Sequence, residues 1–289
     1  MERGVGFDGG DCMSQEVKIC VLFGFGINCD RETAAVFEMV GGTSERVHVN
    51  RLVQGERHLS EFDILAVPGG FSFGDHLGSG RLLGNRLRFA LREQLQQFVK
   101  DGKPIIGICN GFQALVKTGL LPGPNNASLE PDLVQRASLT LNNTGRYEDR
   151  WVTLEFDLQS PCIWTKNIER IECPVRHGEG RFVMQTPEEL DTLASNHQLT
   201  VRYVDPLAPQ GEGIQDEPLP FPISPNGSMR NIAGICDATG LVFGLMPHPE
   251  AFYSMWLHPE HTSMNIGDDW EGEGLQIFRN AVEYVRSQR

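Results

Sequence analysis

Apolar positions in the first half of the chain fall into short continuous runs separated by amphipathic stretches. Val17-Lys18-Ile19-Cys20-Val21-Leu22-Phe23, followed by a Gly24 to Gly26 turn, predicts a buried strand. Asp30 precedes a helical stretch from Arg31 to Val40, closed by Gly41-Gly42. Val47 and Val49 alternate as in a second strand. Ile64 to Val67 predicts a third, ending at Pro68-Gly69-Gly70. Leu87, Leu91, Leu95 and Phe98 form one face of a helix that stops at Asp101-Gly102-Lys103-Pro104. Ile105 to Ile108 predicts a fourth strand running into Cys109. A helix from Gly111 to Thr118 follows, with Gly119 past its end.

The second half reads differently. Ser138 to Asn142 and Trp151 to Phe156 have the pattern of half-buried strands. Thr186-Pro187-Glu188-Glu189 is a helix start with a cap, a proline at the first position and a capping-box glutamate. Pro206 to Pro225 holds six prolines and predicts a loop. Ile232 to Cys236 and Leu241 to Met246 flank Asp237-Ala238-Thr239-Gly240, a predicted hairpin. Leu275, Phe278, Val282 and Val285 mark a C-terminal helix. Alternating strands and helices predict an α/β fold: a mostly parallel sheet with helices on both faces and an added antiparallel hairpin region. In such sheets sites form at the C-terminal ends of strands, where Gly69-Gly70 and Cys109 stand.

Residues 1–16, poor in apolar side chains, read as a disordered extension, with Met13 an alternative start. Residues 17–289 read as one domain, without repeats or an internal linker. Hydrophobic residues make up 40% of the 289, enough for a core, and no apolar run approaches the ~20 residues of a membrane span. The formal charge of -13 argues against a nucleic-acid binder, which needs clustered cations. Seven cysteines without a CxxC pair and without an export signal predict reduced thiols in a cytoplasmic protein. Six of them read as ordinary core or surface residues.

Cys109 differs. In Gly107-Ile108-Cys109-Asn110-Gly111-Phe112-Gln113 it stands between strand and helix, with glycines two before and two after. A nucleophile on such a turn needs small neighbours to relieve crowding. The helix N-terminus also favours a thiolate. Taken alone, the pattern also fits a buried cysteine in an ordinary turn. A base and its orienting carboxylate are offered by Met246-Pro247-His248-Pro249-Glu250, where i and i+2 side chains of extended chain point the same way. A second copy, His258-Pro259-Glu260-His261, follows no strand and reads as a solvated polar loop. The prolines exclude a helical HExxH, and no metal site is assigned.

Together these segments resemble class I glutamine amidotransferases, whose fold is flavodoxin-like. The resemblance implies a Cys109–His248–Glu250 triad and an oxyanion hole from the backbone N–H groups of Gly70 and Asn110. It implies that Gln113 helps hold the substrate glutamine. Within that class, Asn28-Cys29-Asp30, Gly69-Gly70-Phe71-Ser72-Phe73-Gly74-Asp75, Arg176-His177-Gly178-Glu179-Gly180-Arg181-Phe182 and Pro225-Asn226-Gly227-Ser228 resemble the glutaminase branch of phosphoribosylformylglycinamidine synthases. That branch implies a substrate-pocket role for His177, which alone reads as a satisfied surface histidine. It also implies a synthetase partner, with a small accessory subunit, that carries ATP and magnesium. This chain has no P-loop of its own. Ala251 where the family often has Arg, His76-Leu77-Gly78, and the stretch 251–270 depart from the pattern. Two other readings stay open: a free-standing cysteine hydrolase such as a gamma-glutamyl hydrolase, and a non-catalytic glutamine-binding regulatory subunit.

Overall fold

The computed structural model describes residues 16–124, 134–266 and 270–289. The expectation for residues 1–16 lies outside the described residues except at Glu16. Eleven strands are described: β1 (Lys18–Phe23), β2 (Thr43–His48), β3 (Ile64–Val67), β4 (Ile105–Ile108), β5 (Ala137–Thr140), β6 (Glu148–Phe156), β7 (Arg170–His177), β8 (Arg181–Met184), β9 (Val201–Tyr203), β10 (Ile232–Cys236) and β11 (Val242–Leu245). The helices are α1 (Asp30–Met39), α2 (Val49–Val53), α3 (Arg81–Ala90), α4 (Arg92–Lys100), α5 (Asn110–Thr118), α6 (Pro187–Ser195) and α7 (Leu275–Ser287). Among the described residues no helix is long and apolar enough to cross a membrane.

A nine-stranded sheet runs β2-β1-β3-β4-β11-β10-β9-β6-β7. Its first five strands are parallel, as the alternating pattern predicts. The step from β1 to β2 goes one way along the sheet and the step from β3 to β4 the other. Right-handed crossovers therefore put α1 on one face and α3 and α4 on the opposite one. Helix α7 packs beside α1, with Phe278 edge-on to Phe37, and α5 packs beside α3. The hairpin β10–β11 joins the sheet through β11, parallel to β4. Its turn is tied by Asp237, which accepts from Val242 N–H at 2.9 Å and the Thr239 hydroxyl at 2.6 Å. The antiparallel addition is wider than this hairpin, because β9, β6 and β7 extend it. A separate pair, β5–β8, completes it.

Three local expectations need correction. Val49 is not on the second strand: His48 Nδ1 accepts from Asn50 N–H at 3.1 Å, capping a short helix that begins at Val49. The helix face Leu87–Leu91–Leu95–Phe98 is fully buried but belongs to two helices that bend at Leu91. The i→i+4 bonds through Leu91 persist across the bend, which keeps the face continuous. Strands β7, β8 and β9 were not read, and β6 starts at Glu148 rather than Trp151. The start of α6 is as expected, with the Thr186 hydroxyl accepting from Glu189 N–H at 3.2 Å.

Helix α5 lies so close to the end of β3 that a Cβ on Gly111 would enter the Val67 carbonyl, and one on Gly107 would strike Gly111. The first obstacle is backbone held in the sheet and the second is backbone of the helix. Gly111→Ala is therefore expected to cost about 3 kcal/mol or more. Gly145→Ala, left-handed but facing open space, should cost only about 1 kcal/mol. Thermal or urea unfolding checks the ranking; equal stabilities would refute the close approach.

Candidate active site

Cys109 follows β4 and caps α5 with φ 50° and ψ −105°, a strained backbone that lifts its side chain off the strand. Its N–H donates to Leu245 O at 2.8 Å, so β11 is locked beside the elbow. The chain leaving β11 carries His248 and Glu250, both buried. Their side chains meet, with His248 Nδ1 2.7 Å from Glu250 Oε1. The ring's Nε2 makes no hydrogen bond of normal geometry, although the thiols of Cys109 and Cys29 lie close enough to favour the protonated ring. Burial opposes that proton, but Glu250 and the two thiols outweigh it and raise the His248 pKa well above the usual 6.5. The ring thus has the proton affinity that a general base beside the Cys109 thiol would need.

The loop after β3 is held from behind. Asn28 and Cys29 N–H both donate to Gly69 O, at 3.3 and 3.2 Å. In a trans peptide the C=O and the next N–H point opposite ways. Anchoring Gly69 O therefore turns the Gly70 N–H away from the Asn28–Cys29 segment. Gly70, at φ 144°, has no room for a Cβ against Gly26 O and Asn28 N. Phe71 and Phe73 N–H zip the loop further onto Gly26 O and Phe25 O, each at 2.7 Å. Asn110 is fully buried, and its side chain ties elbow to loop. Its Oδ1 accepts from Ser72 N–H at 3.1 Å, and its Nδ2 donates to both Asp75 oxygens at 3.1 and 3.2 Å and to Gln113 Oε1 at 3.0 Å. Gln113 Nε2 in turn donates to Glu179 O at 2.6 Å. Both ends of Gln113 are thus engaged within the protein, and gripping glutamine would require exchanging one of these bonds.

His177, expected as a substrate contact, ends β7 beside the site, and neighbouring Arg176 O lies 3.6 Å from Cys109 Sγ. His177 is buried, not at the surface. Asn142 fixes its tautomer. Asn142 Nδ2 donates to Arg146 O and His177 O, and Oδ1 accepts from Gly180 N–H at 2.9 Å. That oxygen lies 3.1 Å from His177 Nδ1, which must therefore carry the hydrogen. Nε2 keeps a bare lone pair, buried and unpartnered. Burial, with a smaller contribution from His248, pushes the His177 pKa down to about 3.

The second His-Pro-Glu is not a solvated loop. His258 is buried, edge-on to Trp151 at 4.9 Å, and pairs with Glu172 of β7 rather than with exposed Glu260. The unplaced stretch 251–266 forms short turns packed here through Phe252 and His258. Sequence reading grouped Cys29 with ordinary cysteines, yet its thiol lies beside His248. Its position just beyond the C-terminal end of β1 was the available signal. Asn142 and Asp75 were also missed as framework residues of the site.

The depressed His177 value sets a pH dependence. Below pH 6.5 the unfolded chain takes up a proton that the folded chain refuses. The contribution is complete above that pH and is lost as pH falls toward 3. His177→Gln is therefore expected to lose about 2 kcal/mol less stability than wild type between pH 7 and 5. Urea unfolding at both pH values tests this, and parallel losses would contradict it.

Comparison with known proteins agrees with this geometry. The CobB/CobQ-like glutamine amidotransferase domain family matches residues 16–285. The phosphoribosylformylglycinamidine synthase subunit PurQ of Dehalococcoides mccartyi is 44% identical over 271 residues, covering 94% of this chain and 98% of that one. The subunit of the same name from Methanococcus maripaludis is 39% identical over 276 residues, covering 92% and 97%. Among solved structures, PurLQS from Thermotoga maritima contains a chain 26% identical with a TM-score of 0.66, covering 93% of this chain and 99% of that one. The chain belongs to the glutamine amidotransferase family, with PurQ subunits of phosphoribosylformylglycinamidine synthase as its relatives.

Proposed function

We propose that this chain is the glutamine-hydrolysing subunit of phosphoribosylformylglycinamidine synthase, a cytoplasmic enzyme of purine biosynthesis. The observation that carries the mechanism is the buried His248–Glu250 pair beside the strained Cys109 elbow. His248 takes the thiol proton while Glu250 holds its Nδ1–H. Cys109 Sγ attacks the side-chain amide carbon of glutamine. The Gly70 and Asn110 N–H groups receive the oxyanion, each worth roughly 3 kcal/mol in the transition state. His248 returns the proton to the leaving ammonia, and water, deprotonated by His248, releases glutamate from the thioester. His177 Nε2, neutral and unpartnered, supplies an acceptor for a substrate N–H. The relatives' names and the PurLQS assembly support a synthetase partner that consumes the ammonia and holds ATP and magnesium, together with a small accessory subunit.

Cys109→Ala in the reconstituted complex is expected to lower glutamine-dependent synthesis by roughly a thousandfold or more, while ammonium salts still support turnover. Sustained glutamine-dependent turnover would remove Cys109 from the mechanism. His248→Ala should lower glutamate release by a similar factor, and His258→Ala by no more than a few-fold. The reverse ranking would move the base to the second copy. The loop Phe71–Gly74 links catalysis to docking. Phe71 is half-exposed against Tyr147, and Phe73 packs on Phe25 and under Arg86, directly after the oxyanion glycine. The chain alone is expected to hydrolyse glutamine slowly, rising at least about tenfold with synthetase and nucleotide. A full rate without partner would favour a free-standing hydrolase; no glutamate under either condition would favour a regulatory subunit.

A further inference from the structure

Cys29 Sγ, a ring nitrogen of His248 and a carboxylate oxygen of Glu250 all lie within 4.8 Å of one another. The hydrolysis mechanism uses two of these groups and leaves the Cys29 thiol without a task. The thiol makes a long hydrogen bond, 3.4 Å, to Asn28 Oδ1. Glu250 Oε2 is buried with no hydrogen-bond partner. Gly69 packs directly against two of these groups. A Cβ there would sit 3.4 Å from both Cys29 Sγ and His248 Nδ1, and closer still to His248 Cε1.

We propose that Cys29, His248 and Glu250 form a zinc-binding site whose filling switches off glutamine hydrolysis. The donor set, one sulfur, one imidazole nitrogen and one carboxylate oxygen, is that of zinc, with water as fourth ligand. Magnesium and calcium prefer all-oxygen shells and do not suit it. In a tetrahedral site with bonds of about 2.0–2.3 Å the donors stand roughly 3.3–3.8 Å apart. The three groups need shifts of about 1 Å to reach that spacing. His248 Nδ1 and Glu250 Oε1, now 2.7 Å apart, must open, and Cys29 must close.

Charge also balances. A divalent ion with one thiolate, one carboxylate and a neutral imidazole has no net charge, which a buried site tolerates far better than an unpaired ion. Binding breaks the Cys29 S–H bond and releases that proton to solvent, while the Nδ1 proton of the neutral His248 ring moves to Nε2, so the imidazole stays neutral as three bonds to zinc form. No electron moves. The ion replaces the proton between His248 and Glu250, so the imidazole can no longer be oriented as the base for Cys109. Cys29 is only part-buried, which gives the ion an approach.

The test measures metal directly, without glutamine, so its outcome does not depend on the activity of the chain. Equilibrium dialysis of the intact chain against zinc should show one tightly bound ion that excess magnesium does not displace. Cobalt should substitute, with the visible bands of a tetrahedral ion and a thiolate charge-transfer band. Cys29→Ser should remove the charge-transfer band and weaken binding at least about tenfold. Gly69→Ala, whose Cβ would press on His248 Cε1, should weaken it too, while Cys109→Ser should retain it. In the unmutated protein, zinc should protect Cys29 from iodoacetamide, read by peptide mass spectrometry, so the result does not rest on a variant's folding. Absence of tight zinc, binding unchanged in Cys29→Ser, or binding lost in Cys109→Ser would each overturn the proposed site.

Discussion

The first turn of α5 rests on the carbonyl that ends β3, with Gly111 against Val67 O and no space for a single carbon between them. The carbonyl belongs to a strand laddered on both sides, to β1 and β4. It can move only by opening the sheet. The approach therefore sets how far the Pro68-Gly69-Gly70 loop stands from Cys109. The clamp on Gly69 O, the zip from Phe71 to Phe73 and the Asn110 bridge to Ser72 and Asp75 all refine a distance that this backbone contact establishes. An oxyanion hole needs its donors in place before charge develops, since reorganisation during reaction would cancel their benefit. Here rigidity comes from backbone meeting backbone, where no rotamer can relax.

The second constraint is the return of the antiparallel half. Strand β7 ends the sheet at the edge opposite β2, yet Pro174 O accepts from His248 N–H at 2.8 Å. The antiparallel strands thus curl back over the chain leaving β11. That closure buries the His248–Glu250 pair and delivers Arg176 and His177 to the elbow. Removing water there strengthens the pair's electrostatic interaction and removes competing hydrogen bonds to solvent.

Burial acts on both histidines of the site in the same sense, disfavouring charge. Their partners differ. Glu250 faces His248 with a carboxylate, and the ring holds its proton more strongly than in water. Asn142 faces His177 with a neutral amide, and no carboxylate offsets desolvation. One side chain of difference separates a ring that holds its proton from one that refuses it.

The chain's own pattern determined a good deal. Four apolar runs and the helices between them specified the parallel half, because buried strands and amphipathic helices each carry a local period. Glycines around Cys109, Pro-Gly-Gly after β3 and the spacing of His248 and Glu250 marked the site, since backbone crowding and same-side projection are also local properties. His48 as a cap, the bend at Leu91 and strand β7 were less legible. Each depends on which hydrogen bond or packing partner wins, and periodicity does not report that. The two His-Pro-Glu copies show the limit most sharply. They are nearly the same in sequence, yet one lies beside Cys109 and the other pairs with Glu172, because only the first leaves a strand registered against β4. The tautomer of His177, the engagement of Gln113 and the nearness of Cys29 to His248 were decided by tertiary structure alone. They arise from contacts between segments 35 to more than 200 residues apart, and only the folded sheet brings those segments within the reach of a hydrogen bond.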